Sequence, residues 1–189
     1  MCYILYDRKV GMYMEFTTRR CEIKKFIPEY ISIMYESWGT DREVGMYLLD
    51  FKENMDVDSF KQYIFSNYKE DYTEILVIKE KSSNELIGYI NLFKEDSRSK
   101  SVTIVIKKDK WNHGYGTEVL SKLAELEKAN GLGSLYATCD EHNEYAQEML
   151  ETAGFELIDS IPGDRVDLNG VVGDEYLYEL EMIRVKYDT

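Results

Sequence analysis

The stretch from Val102 to Leu120, VTIVIKKDKWNHGYGTEVL, constrains this chain more than any other segment. Its first five residues are a β-branched apolar run of the kind that forms a buried strand. A short basic turn then leads to Gly114 and Gly116, and Val119, Leu120, Leu123 and Leu126 follow at the spacing of one helix face. The first four amides of a helix lack internal partners, and the helix dipole adds partial positive charge there, so such a junction suits a phosphate. Glycine would let the oxygens approach the backbone. The G-x-x-x-x-G-K-[ST] phosphate loop is absent, and a dinucleotide fingerprint needs glycine or alanine where Val119 stands. A glycine pair alone also serves a plain strand-to-helix turn, so the motif leaves both readings open.

The elements around this junction follow from periodicity. Residues 3–7 and 19–25 look like strands. Ile27, Ile31, Met34 and Trp38 share one face of a helix expected over 28–37, and Val57, Phe60 and Ile64 mark a second helix that Asp56 or Asp58 can cap. Segments 73–80, 86–93 and 101–106 read as three strands of an antiparallel meander. The helix from Gly114 to about Asn130 carries Glu118 and Lys122 as an i,i+4 pair, and Gly131 and Gly133 stop it. A strand (134–139), a helix with Ala146, Met149, Leu150 and Ala153, a strand (155–160), a long loop (161–174) and a last strand (175–182) complete the chain. The fold class is α/β (α+β).

Nothing divides these 189 residues: the two prolines are far apart, and there is no Gly/Ser-rich linker or internal repeat. One domain over 1–189 is expected, with 1–15 as an extra N-terminal segment. Asp and Glu outnumber Lys and Arg by 36 to 23, and a net charge of −13 disfavours nucleic acid and anionic membranes as partners. That acidity either attracts a cationic amine or only keeps the protein in solution. Cys2, Cys21 and Cys139 have neither disulfide nor zinc spacing, so no metal is expected. The apolar run near the N-terminus is too short for a secretory signal, and no segment reaches membrane-spanning length. A soluble, cytoplasmic protein is the expectation.

WNHGYGTE follows an apolar strand and precedes, 27 residues after Gly116, the pattern N-x-x-A-x-x-x-L-x-x-x-G-F from Asn143 to Phe155. Together these resemble the GNAT superfamily of N-acetyltransferases. The run Trp38-Gly39-Thr40-Asp41-Arg42-Glu43-Val44 is similar to that of the branch containing the ribosomal-protein N-terminal acetyltransferases (RimJ/RimL-like). The resemblance covers roughly residues 16–182. It implies a central mixed, mostly antiparallel sheet of about seven strands flanked by about four helices, splayed between the fourth and fifth core strands. It also implies acetyl-CoA as co-substrate and direct transfer of acetyl to a primary amine, on a small molecule or a protein N-terminus. Oligomeric state stays open, a homodimer being one option.

The family's diphosphate-binding loop maps onto Trp111, Asn112, His113, Gly114, Tyr115, Gly116 and Thr117, with Trp111 in place of the usual Gln or Arg. Ile104, Val105 and Ile106 correspond to the strand whose backbone pairs with pantetheine. Asn143 matches a position that contacts pantetheine, and it is equally apt as a helix N-cap. Lys107, Lys108, Lys110 and His113 either reach the phosphates or are solvated turn residues.

Deprotonating an amine whose pKa is about 10 requires a base or a water relay. The positions where family members carry a carboxylate base, a tyrosine acid or a serine acid hold Thr138, Leu150 and Ala146. Asp140, on the strand parity of Thr138, is the catalytic candidate, with Glu141 and His142 close behind. An exposed turn carboxylate is the alternative. Cys139 reads as a small buried side chain. The missing groups motivate a second reading, a non-catalytic acyl-CoA-binding module.

Overall fold

The structure, a computed structural model, describes residues 15–66 and 73–182. The strand expected at 3–7, Cys2 and most of the N-terminal segment lie outside these residues.

Among the described residues, eight strands form one sheet: β1 (Phe16–Thr17), β2 (Cys21–Lys25), β3 (Thr73–Glu80), β4 (Leu86–Lys94), β5 (Ser99–Ile106), β6 (Ser134–Asp140), β7 (Glu156–Val166) and β8 (Val172–Glu181). Their spatial order is β1-β2-β3-β4-β5-β6-β8-β7, and only β5 and β6 run parallel. Among the described residues, five α-helices accompany them: α1 (Tyr30–Met34), α2 (Arg42–Gly45), α3 (Val57–Ser66), α4 (Tyr115–Ala129) and α5 (Glu144–Thr152). The mixed, mostly antiparallel α/β architecture expected above is therefore observed, with one short edge strand, β1, and one short helix, α2, beyond the expected count.

Strand alternation explains the layering. In β3, Leu76 and Ile78 point to one face and Ile75 and Val77 to the other, all almost fully buried. The first pair joins Val119, Leu120 and Leu123 of α4 in one core, which also holds Leu150 of α5. The second pair joins Ile31 and Met34 of α1 and Phe60 and Ile64 of α3 in another. Asp56 caps α3, its carboxylate accepting the Ser59 amide at 2.8 Å.

Three expectations need correction. The first helix starts at Tyr30 rather than 28 and widens into a π-turn over Tyr35–Gly39, so Ile27 precedes it and is exposed while Ile31, Met34 and Trp38 are buried. Glu118 does not pair with Lys122, which binds Glu125 at 2.8 Å; Glu118 lies in the first turn of α4 and meets Arg20 instead. The long loop at 161–174 is for the most part a β7–β8 hairpin. Pro162 and Gly163 look like breakers, but they sit in an edge strand where a register shift between Ile161 and Arg165 absorbs them.

Candidate active site

The sheet opens between β5 and β6. Their parallel pairing is confined to Ser99↔Ser134, Lys100↔Leu135 and Ser101↔Tyr136. Beyond it, residues 102–106 stay paired with β4 and 137–140 with β8, which leaves the facing edges of β5 and β6 apart. A cleft of about 870 Å³ occupies this opening. Ile104, Val105 and Ile106 line it, as do Trp111, Asn112, Gly114, Tyr115, Gly116, Thr117 and Asn143. Of the cofactor-binding residues expected from the sequence, only His113 is absent from the lining.

At the mouth of the cleft the backbone makes the turn that its glycine requires. Gly114 has φ +71° and precedes α4, and Asn112 is also left-handed at φ +58°. The first internal bond of α4 runs from the Glu118 amide to the Gly114 carbonyl at 3.1 Å, so the amides of Tyr115, Gly116 and Thr117 begin the helix without a carbonyl four residues back. Gly116 also has a packing role. A β-carbon there would lie 2.3 Å from the Met149 sulfur, so this glycine allows α4 to pack against α5. Trp111 closes the loop by donating its indole N–H to the Ile106 carbonyl at 2.6 Å, and its ring packs 5.9 Å from that of Tyr145.

The turn lysines are held by carboxylates. Lys107 binds Glu85 at 2.6 Å, Lys110 binds Glu80 at 3.0 Å, and Lys108 pairs with Glu43. His113 folds back, its Nδ1 2.6 Å from the Trp111 carbonyl oxygen.

Two carboxylates distant in sequence brace the loop from below, and neither was legible as such. Glu80 accepts hydrogen bonds from the Tyr115 hydroxyl, from Ser83 at 2.7 Å and from Lys110, which together hold its carboxyl at about 2. Burial pulls Glu118 upward, but bonds from Thr18 and from the Arg20 amide and guanidinium outweigh it, and its carboxyl also lies at about 2. Arg20 spans the assembly: it binds Glu118 at 2.6 Å, donates to the His113 carbonyl at 2.7 Å and stacks 4.1 Å from the centre of the Tyr115 ring. Its partners lie more than 90 residues away, so no local pattern marks it.

The far wall comes from β6, α5 and the hairpin. Asn143 caps α5, its side chain accepting the Ala146 amide at 3.2 Å, and it also lines the cleft. Thr138 accepts a hydrogen bond from Arg165 at 2.9 Å, and Arg165 pairs with Glu175 at 2.7 Å. Two buried polar atoms in the wall, Nε of Arg165 and Oδ1 of Asn91, have no hydrogen-bond partner among the described residues. Asp140 is buried rather than an exposed turn residue, and its carboxylate is turned onto His142. Burial lifts the Cys139 thiol to about 12, as befits a packing residue.

Residues 20–156 match the acetyltransferase (GNAT) domain model. The chain therefore belongs to the GNAT acetyltransferase family. Solved structures share the fold at low sequence identity. A GNAT-family acetyltransferase from Bacillus anthracis is 20% identical with a TM-score of 0.75, over 89% of this chain and 99% of that one. The spermidine N-acetyltransferase from Vibrio cholerae, solved with CoA and spermine, is 14% identical with a TM-score of 0.73, over 86% and 96%. RimL, the ribosomal L7/L12 α-N-protein acetyltransferase solved with coenzyme A, is 12% identical with a TM-score of 0.76, over 87% and 95%. No curated protein sequence matches the chain. No described helix is long and apolar enough to cross a membrane, and no group of metal-binding side chains occurs among the described residues.

Proposed function

We propose that this protein transfers an acetyl group from acetyl-CoA to a primary amine, with both substrates bound together in the cleft between β5 and β6. One observation carries the reading: a left-handed Gly114 at the start of α4 opens onto the same cleft that the separated strands create. In this account the amides of Tyr115, Gly116 and Thr117 hold the diphosphate, and backbone groups of 104–106 on the side away from β4, other than the Ile106 carbonyl engaged by Trp111, hold pantetheine as an added strand would. Asn143 borders the pantetheine path. Trp111 acts by keeping the loop closed, and His113 contributes its backbone.

The acceptor is an amine-bearing small molecule or a protein N-terminus, the two kinds named for the spermidine and RimL enzymes above. The net charge of −13 favours a cation and argues against nucleic acid. We take residues 1–189 as one domain acting in the cytoplasm. Incubation with acetyl-CoA and a panel of spermidine, amino acids and peptide N-termini tests the reading. Thiol release with a product 42 Da heavier than one acceptor, about the mass of an added acetyl group, supports it.

A second reading, a non-catalytic acyl-CoA-binding module, draws on the residues at the acid and base positions: Leu150 is buried, Ala146 packs against the core, and the Thr138 hydroxyl is engaged by Arg165. Binding of acetyl-CoA without turnover of any amine selects it.

A further inference from the structure

With those positions empty of acid–base groups, the cleft still carries one titratable pair beside them. Asp140 ends β6 and is only 2% exposed. Its Oδ1 accepts the His142 amide at 2.8 Å and lies 3.0 Å from Nδ1 of the His142 ring. The His142 side chain is 51% exposed and forms part of the cleft wall, whereas Asp140 does not reach it. We propose that His142, positioned by Asp140, is the base that removes the proton from the acceptor ammonium. This rests on the acetyltransferase reading.

Three features build the arrangement. A carboxylate accepting Nδ1–H leaves Nε2 with its lone pair directed away from Asp140. Gly173 of β8 supplies the space: a β-carbon there would lie 2.8 Å from His142 Nδ1 and 3.2 Å from Asp140 Oδ1. The Tyr47 hydroxyl donates to the His142 carbonyl at 3.2 Å, tying the segment after α2 to this corner. Besides Asp140, the groups that act on Tyr47 are Asp167, Glu144 and Tyr145, and Arg165, paired with Glu175, lines the same cleft. Glu141 instead accepts the Asp174 amide at 2.9 Å.

In the step itself, Nε2 takes one proton from R–NH3+, leaving R–NH2. The freed nitrogen lone pair forms the bond to the acyl carbon, the C–S bond breaks, and its electron pair leaves on sulfur. The nitrogen sheds a second proton as the amide forms. Of the two protons released, one ends on sulfur and the other reaches solvent from the imidazolium.

Two measurements on the full chain test this. The chain has two histidines, so 15N NMR of the imidazoles is assigned with one variant, H142Q. The expected wild-type state is Nδ1–H with Nε2 unprotonated, lost in D140N; an Nε2–H tautomer overturns the proposal. In acetyl transfer to the amine that is turned over, H142Q should lower kcat by roughly 10²- to 10⁴-fold, with acetyl-CoA affinity unchanged. D140N should lower kcat as well, in step with the loss of the Nδ1–H tautomer that the NMR spectrum reads. G173A, which crowds the ring, should lower kcat at unchanged acetyl-CoA affinity. Undiminished kcat in H142Q overturns the base assignment and leaves the transferase reading intact. A wild-type protein that binds acetyl-CoA but acetylates no amine sinks both.

Discussion

The Val105 carbonyl lies so close to Gly88 that a β-carbon on this glycine would approach its oxygen to 2.2 Å. This contact sets the end of β5 firmly against β4, just where the Lys107 amide donates to the Ile87 carbonyl at 2.8 Å and the loop departs. The obstacle is backbone in the middle of a sheet, which cannot swing aside. Gly88→Val should therefore cost about 3 kcal/mol, or lower Tm by roughly 10 °C. Thermal unfolding followed by circular dichroism reads this directly, and an unchanged Tm contradicts the packing account.

Acid should weaken the brace under the loop. Glu80 and Glu118 both titrate at about 2 in the folded protein, below the ordinary value of 4.5. The unfolded chain therefore binds their protons first. The stability they contribute is present above about pH 4.5 and is lost as pH falls toward 2. Tm measured across this window should drop steeply in the wild type and less steeply in E80Q and in E118Q. Equal slopes in all three proteins would show that these carboxylates are not what anchors Tyr115 and Arg20.

The loop was legible in the sequence because it is local: strand, basic turn, glycines and helix stripe are contiguous, and the structure arranges them as their spacing requires. The splay between β5 and β6 followed from family resemblance rather than periodicity. What surrounds the loop was not legible. Arg20, Glu80 and Glu118 come together through the tertiary fold, and the i,i+4 rule points Glu118 toward Lys122 although its first-turn position meets Arg20, just before β2. Pro162 and Gly163 read as a loop, which hides the hairpin and with it the place of Arg165 in the cleft wall. Asp140 was found by strand parity, but that parity says nothing of His142, whose place depends on a missing side chain at Gly173.

Trp111 offers a test of loop closure. Trp111→Phe keeps an aromatic ring beside Tyr145 but removes the 2.6 Å bond to the Ile106 carbonyl. A net loss of about 1 kcal/mol is expected, weakening acetyl-CoA binding roughly fivefold if the bond holds the loop ready. Calorimetric affinity equal to that of the wild type would assign Trp111 to packing alone.

Cys139 lines the cleft yet is 5% exposed, with a thiol raised by burial to about 12. In native protein at pH 8 it should resist iodoacetamide, and in urea it should react fully. Peptide mass mapping distinguishes the two; rapid native labelling would mean that the thiol is activated.

The central claim is that the turn at Gly114 and the first amides of α4 hold the diphosphate of coenzyme A. Gly114 has φ +71°, and a β-carbon there would meet only the Arg20 guanidinium, at 3.6 Å, so replacement acts through backbone strain rather than through core packing. Calorimetric titration of acetyl-CoA into wild type and Gly114→Val is the most direct measurement. The account predicts saturable binding to the wild type and affinity lower by about 100-fold in the variant, a loss of some 2.7 kcal/mol, with an unchanged circular dichroism spectrum. Equal affinity in the two proteins, or no binding to the wild type, would contradict it.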